Sequence, residues 1–175
     1  MDLSSKIRTI PDWPKKGIMF RDITTLLQDK EAFKYAIDKF YERYKDREID
    51  VVVGIESRGF IFGAALAYLL GASFVPVRKE GKLPHKTMKQ EYALEYGNAV
   101  VEIHTDAIQK GQKVLIVDDL VATAGTLVAT IKLIELLGGE IIECALLVEL
   151  PELHGRETLE NMGYKVFSLI QFEGH

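Results

Sequence analysis

One cysteine, Cys144, is all the chain contains, so no disulfide can close within it and chemistry by a cysteine pair is excluded. It lies inside an apolar run and reads as core filler in a reducing compartment. Long hydrophobic stretches are missing too: no run reaches the roughly 18 residues that a membrane-spanning helix needs. The opening MDLSSKIRTIPDW lacks the apolar segment of a secretory signal, and the expectation is a cytoplasmic protein with no membrane partner. Positive charge is in deficit. Lys and Arg number 22 against 26 Asp and Glu, a net charge of -4, and the pI is near 5.6. That balance argues against a nucleic-acid partner, which usually meets a basic surplus. A phosphate-bearing ligand must therefore be held by local cations and backbone amides. The histidines, His85, His104, His154 and His175, show no ligand spacing, so no metal site made of protein side chains is expected.

What is present is strand–helix alternation without repeats. The length of 175 residues suits one domain with one substantial core. Residues 30–45 place Phe33, Ile37, Phe40 and Tyr44 at helical spacing. DVVVGI (50–55) reads as a strand buried on both faces, and FGAALAYLLG as the helix after it. Further strands are expected at 73–77, 98–104, 113–117, 141–150 and 164–170, and further helices at 124–137 and 153–162. Such alternation gives right-handed crossovers and a mostly parallel sheet flanked by helices. Residues 78–96, RKEGKLPHKTMKQEYALEY, are polar and weakly patterned. A connection of that length is commonly a functional lid, with a solvated hairpin as the alternative.

The segment VLIVDDLVATAGTL (114–127) concentrates the chemistry. An apolar strand runs into Asp118 and Asp119, and burying two like charges without partners costs several kcal/mol. The acids are therefore expected at the open carboxyl end of the strand, where ligands bind in α/β sheets. Small residues and hydroxyls follow at a helix start, where free amides and the helix dipole suit a phosphate. No lysine stands in the Gly-Lys-Thr arrangement of a P-loop, which disfavours a nucleoside triphosphatase. Paired acids beside a phosphate cradle suit a sugar phosphate: carboxylates accept hydrogen bonds from vicinal hydroxyls and stabilise positive charge developing nearby.

VLIVDDLVATAGT resembles the phosphoribosyl-diphosphate (PRPP) motif of type I phosphoribosyltransferases. PDWPKKGIMFRDIT, GIESRGFIFG, RKEGKLP and EYALEYG narrow the resemblance to the adenine-specific family and extend it over nearly the whole chain. It implies a single-domain α/β type I phosphoribosyltransferase fold over 1–175, with an N-terminal hood arm at the adenine site (1–29) and a flexible catalytic lid loop (78–97). It also implies a reaction, adenine plus PRPP giving AMP and pyrophosphate in purine salvage. Mg²⁺ would be bound mainly through PRPP, pyrophosphate and water, and the protein would be a homodimer. By the same resemblance, Ala122, Thr123, Ala124, Gly125 and Thr126 hold the 5′-phosphate, and Asp118 and Asp119 meet the ribose hydroxyls. Glu56, Ser57, Arg58 and Lys79 form the pyrophosphate site, with a cis peptide before Ser57. Adenine is read by backbone groups of Met19, Phe20 and Arg21, the Phe20 ring lying on the purine, because a C=O and N–H pair complements the 6-amino group and N1. Related enzymes that use 6-oxopurines carry an Asp where this chain has Ala122. Here Glu95, in the lid, is the candidate general acid/base at N7, its pKa raised by desolvation on closure.

The chain departs from the family where Ala124 replaces a loop glycine; a positive φ there would strain it. Glu91 and Glu102 read as solvated strand residues, and Trp13 as a pin for the arm. Two other readings remain open. One is a xanthine-type transferase. The other is a PRPP-sensing regulator without catalysis, against which stands the lack of a helix-turn-helix extension or basic arm.

Overall fold

The computed structural model describes residues 1–94 and 96–174. After a single-turn 3-10 helix (Leu3–Lys6), β1 (Arg8–Pro11) and β2 (Met19–Asp22) form an antiparallel hairpin separate from the main sheet. Two helices follow, α1 (Thr24–Gln28) and α2 (Lys30–Tyr44), then β3 (Val51–Ile55), α3 (Gly59–Leu70) and β4 (Ser73–Lys79). Next come β5 (Thr87–Ala93), β6 (Asn98–His104), β7 (Lys113–Val121), α4 (Gly125–Leu136), β8 (Glu140–Glu149), α5 (Gly155–Asn161) and β9 (Val166–Gln171). Among the described residues the main sheet has the order β5-β6-β4-β3-β7-β8-β9. The run from β4 to β9 is parallel, and β6 and β5 add an antiparallel edge.

Alternation along the central strands divides the core in two. Val52, Leu115, Val117, Ala145 and Leu147 face Phe40, Phe62 and Leu66 of α2 and α3. Val51, Val53, Val114, Ile116, Cys144 and Leu146 face Leu127, Ile131 and Ile134 of α4. Cys144 is the buried filler expected of it. Because β3 and β7 are buried on both faces, their sequences read as unbroken apolar runs. Asp29 caps α2, its Oδ1 accepting from the amides of Glu31 and Ala32 at 3.1 Å each.

The pattern misjudged two regions. β7 does not end at Val117: it continues to Val121, paired with β8 through Val121↔Glu149, although its pairing with β3 stops at Gly54↔Val117. The stretch at 78–97 is less irregular than a loop, for Thr87–Ala93 is a strand paired along its length with β6. What remains for a loop there is the turn at 80–86.

A bulge between Val114 and Leu115 sets Leu115 beside Glu143, on the face that α2 covers. Glu143 is 1% exposed and accepts from Arg43 Nε at 2.8 Å and from the Tyr44 hydroxyl at 2.6 Å. Burial alone would raise its pKa; these bonds, with the Arg43 charge, hold it below the usual glutamate range. Tyr44→Phe removes a donor to a buried charge, an interaction worth about 1.5–3 kcal/mol. Urea unfolding should show a loss of that size with an unchanged m-value; a loss below about 0.5 kcal/mol, the scatter of ordinary surface changes, would show that Glu143 is satisfied by Arg43 and Arg47 without the hydroxyl.

Candidate active site

β3 and β7 are neighbours, yet α3 carries the chain from β3 to β4 on one side while α4 carries it from β7 to β8 on the other. Such a switch point leaves a crevice at the carboxyl ends of the two strands. A cavity of 660 Å³ opens there, lined by residues 17–21 of the hairpin, 55–58 after β3, Arg78 and Lys79, Asp118 to Leu120, Thr126, Leu150 and Leu153. A second, of 400 Å³, lies along residues 120–127 and shares Tyr92, Asp118, Leu120 and Thr126 with the first. The two are one elongated cleft, and its walls bring together all the expected site residues except Glu95, which lies outside the described residues.

At its centre stand the acids. Asp118 Oδ1 accepts from the Asp119 amide at 2.8 Å, and burial, with the neighbouring Asp119 carboxylate, pushes the Asp118 carboxyl well above the usual range. Asp119 meets Arg58 Nε at 2.6 Å. Gly59 allows this approach, since a Cβ there would stand 2.9 Å from Asp118 Oδ1 and 3.0 Å from the Val117 carbonyl oxygen. The peptide between Glu56 and Ser57 is cis, as the resemblance implied.

The cradle is built by α4's start. Ala124 adopts φ 75°, ψ 10°, the left-handed conformation that the glycine-to-alanine departure put in question, and its carbonyl accepts the Val128 amide at 2.9 Å. The amides that follow Ala124 are the first of the helix and point out of it. Thr126 is half-buried beside them, whereas Thr123 is exposed.

On the other flank Glu56 plays a different part from the one expected. Its carboxylate accepts from Arg78 Nε at 3.2 Å, the Lys79 amide at 2.9 Å and Lys82 Nζ at 2.6 Å. Burial works to raise its pKa, but these donors hold it down to about 2. An anion with these partners organises cations rather than meeting a phosphate itself. Arg78 and Lys82 join the cluster although neither was among the expected site residues, and RKEGKLP contains both; Gly81, at φ +85°, turns the chain so that Lys82 points back. Glu102 also differs from its expected solvated state. It is 7% exposed and accepts from the Gly81 amide at 2.6 Å and from the Thr87 hydroxyl, fixing that same turn.

At the hairpin end, Trp13, 50% exposed, packs edge-on to Phe20 with ring centroids 4.5 Å apart, a contact within the arm itself. Arg58 lies 6.0 Å from the Phe20 ring centroid. The Arg21 side chain points away from the role given to its backbone. Its guanidinium donates to Thr9 Oγ1 at 2.6 Å and to the carbonyls of Glu173 and Gly174 at 3.1 and 2.9 Å, and it stacks on Phe172 at 4.5 Å. It thereby ties the hairpin to the segment after β9. Leu150 and Leu153, also unforeseen, add apolar lining to the same cavity.

A doubly wound sheet with a phosphate cradle, two acids and a cation cluster around one cleft defines a sugar-phosphate transferase. The family model of the phosphoribosyl transferase domain matches residues 22–174, and the chain belongs to that family. Within it the chain groups with the adenine phosphoribosyltransferases. It is 59% identical to the adenine phosphoribosyltransferase of Desulfosudis oleivorans over 99% of both chains. The solved adenine phosphoribosyltransferase of Thermoanaerobacter pseudethanolicus superposes with a TM-score of 0.93 at 51% identity, covering 98% of each chain. That of Saccharomyces cerevisiae, complexed with adenine and an imino-altritol bisphosphate, does so with a TM-score of 0.89 at 40% identity, over 95% of this chain and 96% of that one.

Because the Glu56 carboxyl titrates below its ordinary 4.5 in the folded state, its contribution to stability is complete above about that pH and is lost as pH falls toward 2. Each pKa unit corresponds to about 1.4 kcal/mol; solvent screening at half-exposed Lys82 reduces the total to about 1–2 kcal/mol. Urea unfolding at pH 6 and pH 3 should therefore show wild type losing roughly half of that more than Glu56→Gln on acidification, because at pH 3 the folded Glu56 carboxyl is still largely ionised. Parallel losses would mean the cluster does not stabilise the fold.

Proposed function

We propose that the chain transfers the 5-phosphoribosyl group of PRPP to adenine, giving AMP and pyrophosphate. The observation that carries this reading is the order of groups along one cleft: cradle, paired acids, cation cluster and aromatic-lined hairpin. A sugar phosphate with a diphosphate at C1 and a planar base beside it has the same order of demands.

The 5′-phosphate sits in the cradle of Ala122, Thr123, Ala124, Gly125 and Thr126, bound by amides and the Thr126 hydroxyl. Asp118 and Asp119 accept from the ribose hydroxyls. As the C1–O bond to pyrophosphate breaks, the ring gains oxocarbenium character, and carboxylates beneath it stabilise that charge. The leaving diphosphate is met by Arg58, which releases Asp119 to do so, and by Arg78, Lys79 and Lys82. The carboxylates and diphosphate suit Mg²⁺, which commonly takes one or two carboxylates together with substrate phosphates and water. Among the described residues no cluster of three or more His, Cys, Asp or Glu forms a metal cage, and bound Mg²⁺ supplies neutralisation of diphosphate charge.

Adenine lies on Phe20. β2 belongs to a two-stranded hairpin, so its outer edge keeps unpaired N–H and C=O groups, and Met19 to Arg21 line the cleft. Those groups read N1 and the 6-amino group while N9 attacks C1. Glu95 handles the proton at N7. The enzyme works as a cytoplasmic homodimer in purine salvage. In support of the dimer, Ile61, Tyr68 and Leu69 on the outer side of α3 are exposed, one face of a helix apolar all round, a composition usual for a covered helix.

Incubation with PRPP, Mg²⁺ and each purine in turn, with pyrophosphate release as readout, should show turnover of adenine and about 10⁴-fold lower kcat/KM for hypoxanthine. A 6-oxo group would face a carbonyl and leave both acceptors unpaired. Comparable kcat/KM for hypoxanthine would overturn the specificity, and PRPP binding without pyrophosphate release for any purine would favour a PRPP-sensing regulator.

Glu95→Gln keeps shape and hydrogen-bonding reach but removes the acid/base group, so single-turnover AMP formation should slow by about 10²–10⁴ with PRPP affinity little changed. A single-turnover rate within about threefold of wild type, well short of that range, would place the proton on another route.

A further inference from the structure

The phosphate cradle has a back as well as a front. Behind Ala122 stands Gly155, the first residue of α5. A methyl group on Gly155 would overlap the Ala122 carbonyl oxygen, and would stand 2.7 Å from Val121 Cγ2 and 3.1 Å from the Ala122 carbonyl carbon. The loop peptide therefore rests directly on the backbone of α5. His154, immediately before it, turns the chain at φ 61° and lends its carbonyl to the Thr158 amide at 3.2 Å.

α5 is in turn held by Leu159, buried in the core, and by a polar anchor at Arg156. Arg156 Nε donates to both Glu149 carboxylate oxygens, at 3.2 and 3.0 Å, and Nη2 adds a bond to Oε1 at 2.7 Å. Nη1 donates to the Val166 carbonyl at 2.7 Å. Glu149 is 3% exposed and also accepts from Ser168 Oγ at 2.7 Å. Against the burial that would raise it, Arg156 and Ser168 hold the Glu149 carboxyl below the usual range. Glu149 ends β8 and is the register partner of Val121, whose carbonyl accepts the Leu150 amide at 3.0 Å. The circuit runs from Val121 across to Glu149, through Arg156 to Gly155, and back to Ala122.

We propose that Gly155 and Arg156 are positioning residues for the 5′-phosphate: the Glu149–Arg156 pair presses α5 against the loop, and the bare Cα of Gly155 sets where Ala122 can sit. This rests on the reading of residues 122–126 as the phosphate cradle. Neither residue touches substrate. Both act through the placement of the amides that follow Ala122, where a shift of about 1 Å can cost about 10²-fold.

The test is calorimetry on the full chain with two probes, ribose 5-phosphate for the cradle and inorganic pyrophosphate with Mg²⁺ for the cation cluster. Gly155→Ala should weaken ribose 5-phosphate about ten- to hundredfold and leave pyrophosphate within about twofold, a split that general destabilisation does not produce. Arg156→Lys adds no clash and keeps the charge but loses the bidentate fork. It should weaken ribose 5-phosphate in the same selective way by about three- to tenfold, and it carries the test if Gly155→Ala does not fold. Thr126→Val is the control on the underlying reading. If it leaves ribose 5-phosphate affinity unchanged, the cradle has been misplaced. If it weakens that affinity while Gly155→Ala and Arg156→Lys do not, or if those two weaken both probes equally, the positioning role is overturned.

Discussion

Neighbouring strands whose connections leave in opposite directions cannot both be covered at the same end. That constraint, set where β3 and β7 part after Gly54 and Val117, is what the rest of the molecule answers to. Beyond it β3 gives way to a turn and the start of α3, while β7 continues beside β8 alone. Everything polar and charged in the cleft is attached to one of these two diverging ends, or to the hairpin and the β4–β6 edge that close over them.

The charges in the cleft are arranged as exchangeable pairs. Arg58 holds Asp119, and Arg78 and Lys82 hold Glu56, so three of the four cations proposed to meet a diphosphate are already oriented and already neutralised; at Lys79 it is the backbone amide that Glu56 holds. Binding of an anion then becomes a change of partners rather than the ordering of loose side chains, which lowers the entropic cost of association. Glu102 extends the logic by one step, for by fixing the Gly81 turn it fixes the reach of Lys82. Fully exposed lysines would attract a diphosphate with equal charge but without this order.

The sheet was legible because β3, β7 and β8 are buried on both faces and must be apolar throughout. The helix start after the two acids was legible because small residues and hydroxyls follow a strand end at once, and α4 does begin at Gly125. The end of β7 was not: pairing with β8 carries the strand on through Asp118 and Asp119, and no local pattern reports a neighbour's length. β5 was hidden for a related reason. Met88 and Tyr92 do pack on the core, but Lys89, Gln90 and Glu91 on an edge strand look like loop, and the strand exists through its pairing with β6. Buried Glu102 and cation-holding Glu56 depend on partners about 20 residues away in sequence, from Gly81 and Thr87 in one case and Lys79 and Lys82 in the other. Side-chain direction decided Arg21, since a residue can offer its backbone to one site and its guanidinium to another.

Ala124 carries a final implication. A glycine at that position would visit both hands of the Ramachandran map when the loop is empty. Alanine has a left-handed well that is narrow, and here Ala124 is 6% exposed and its carbonyl is bonded to Val128. The left-handed conformation costs about 1–2 kcal/mol, a cost carried by the folded chain whether or not phosphate is present. In return the empty loop has little configurational freedom left to lose. On the proposed reading of residues 122–126 as the phosphate site, the chain has exchanged some conformational stability for a loop with less to order on binding.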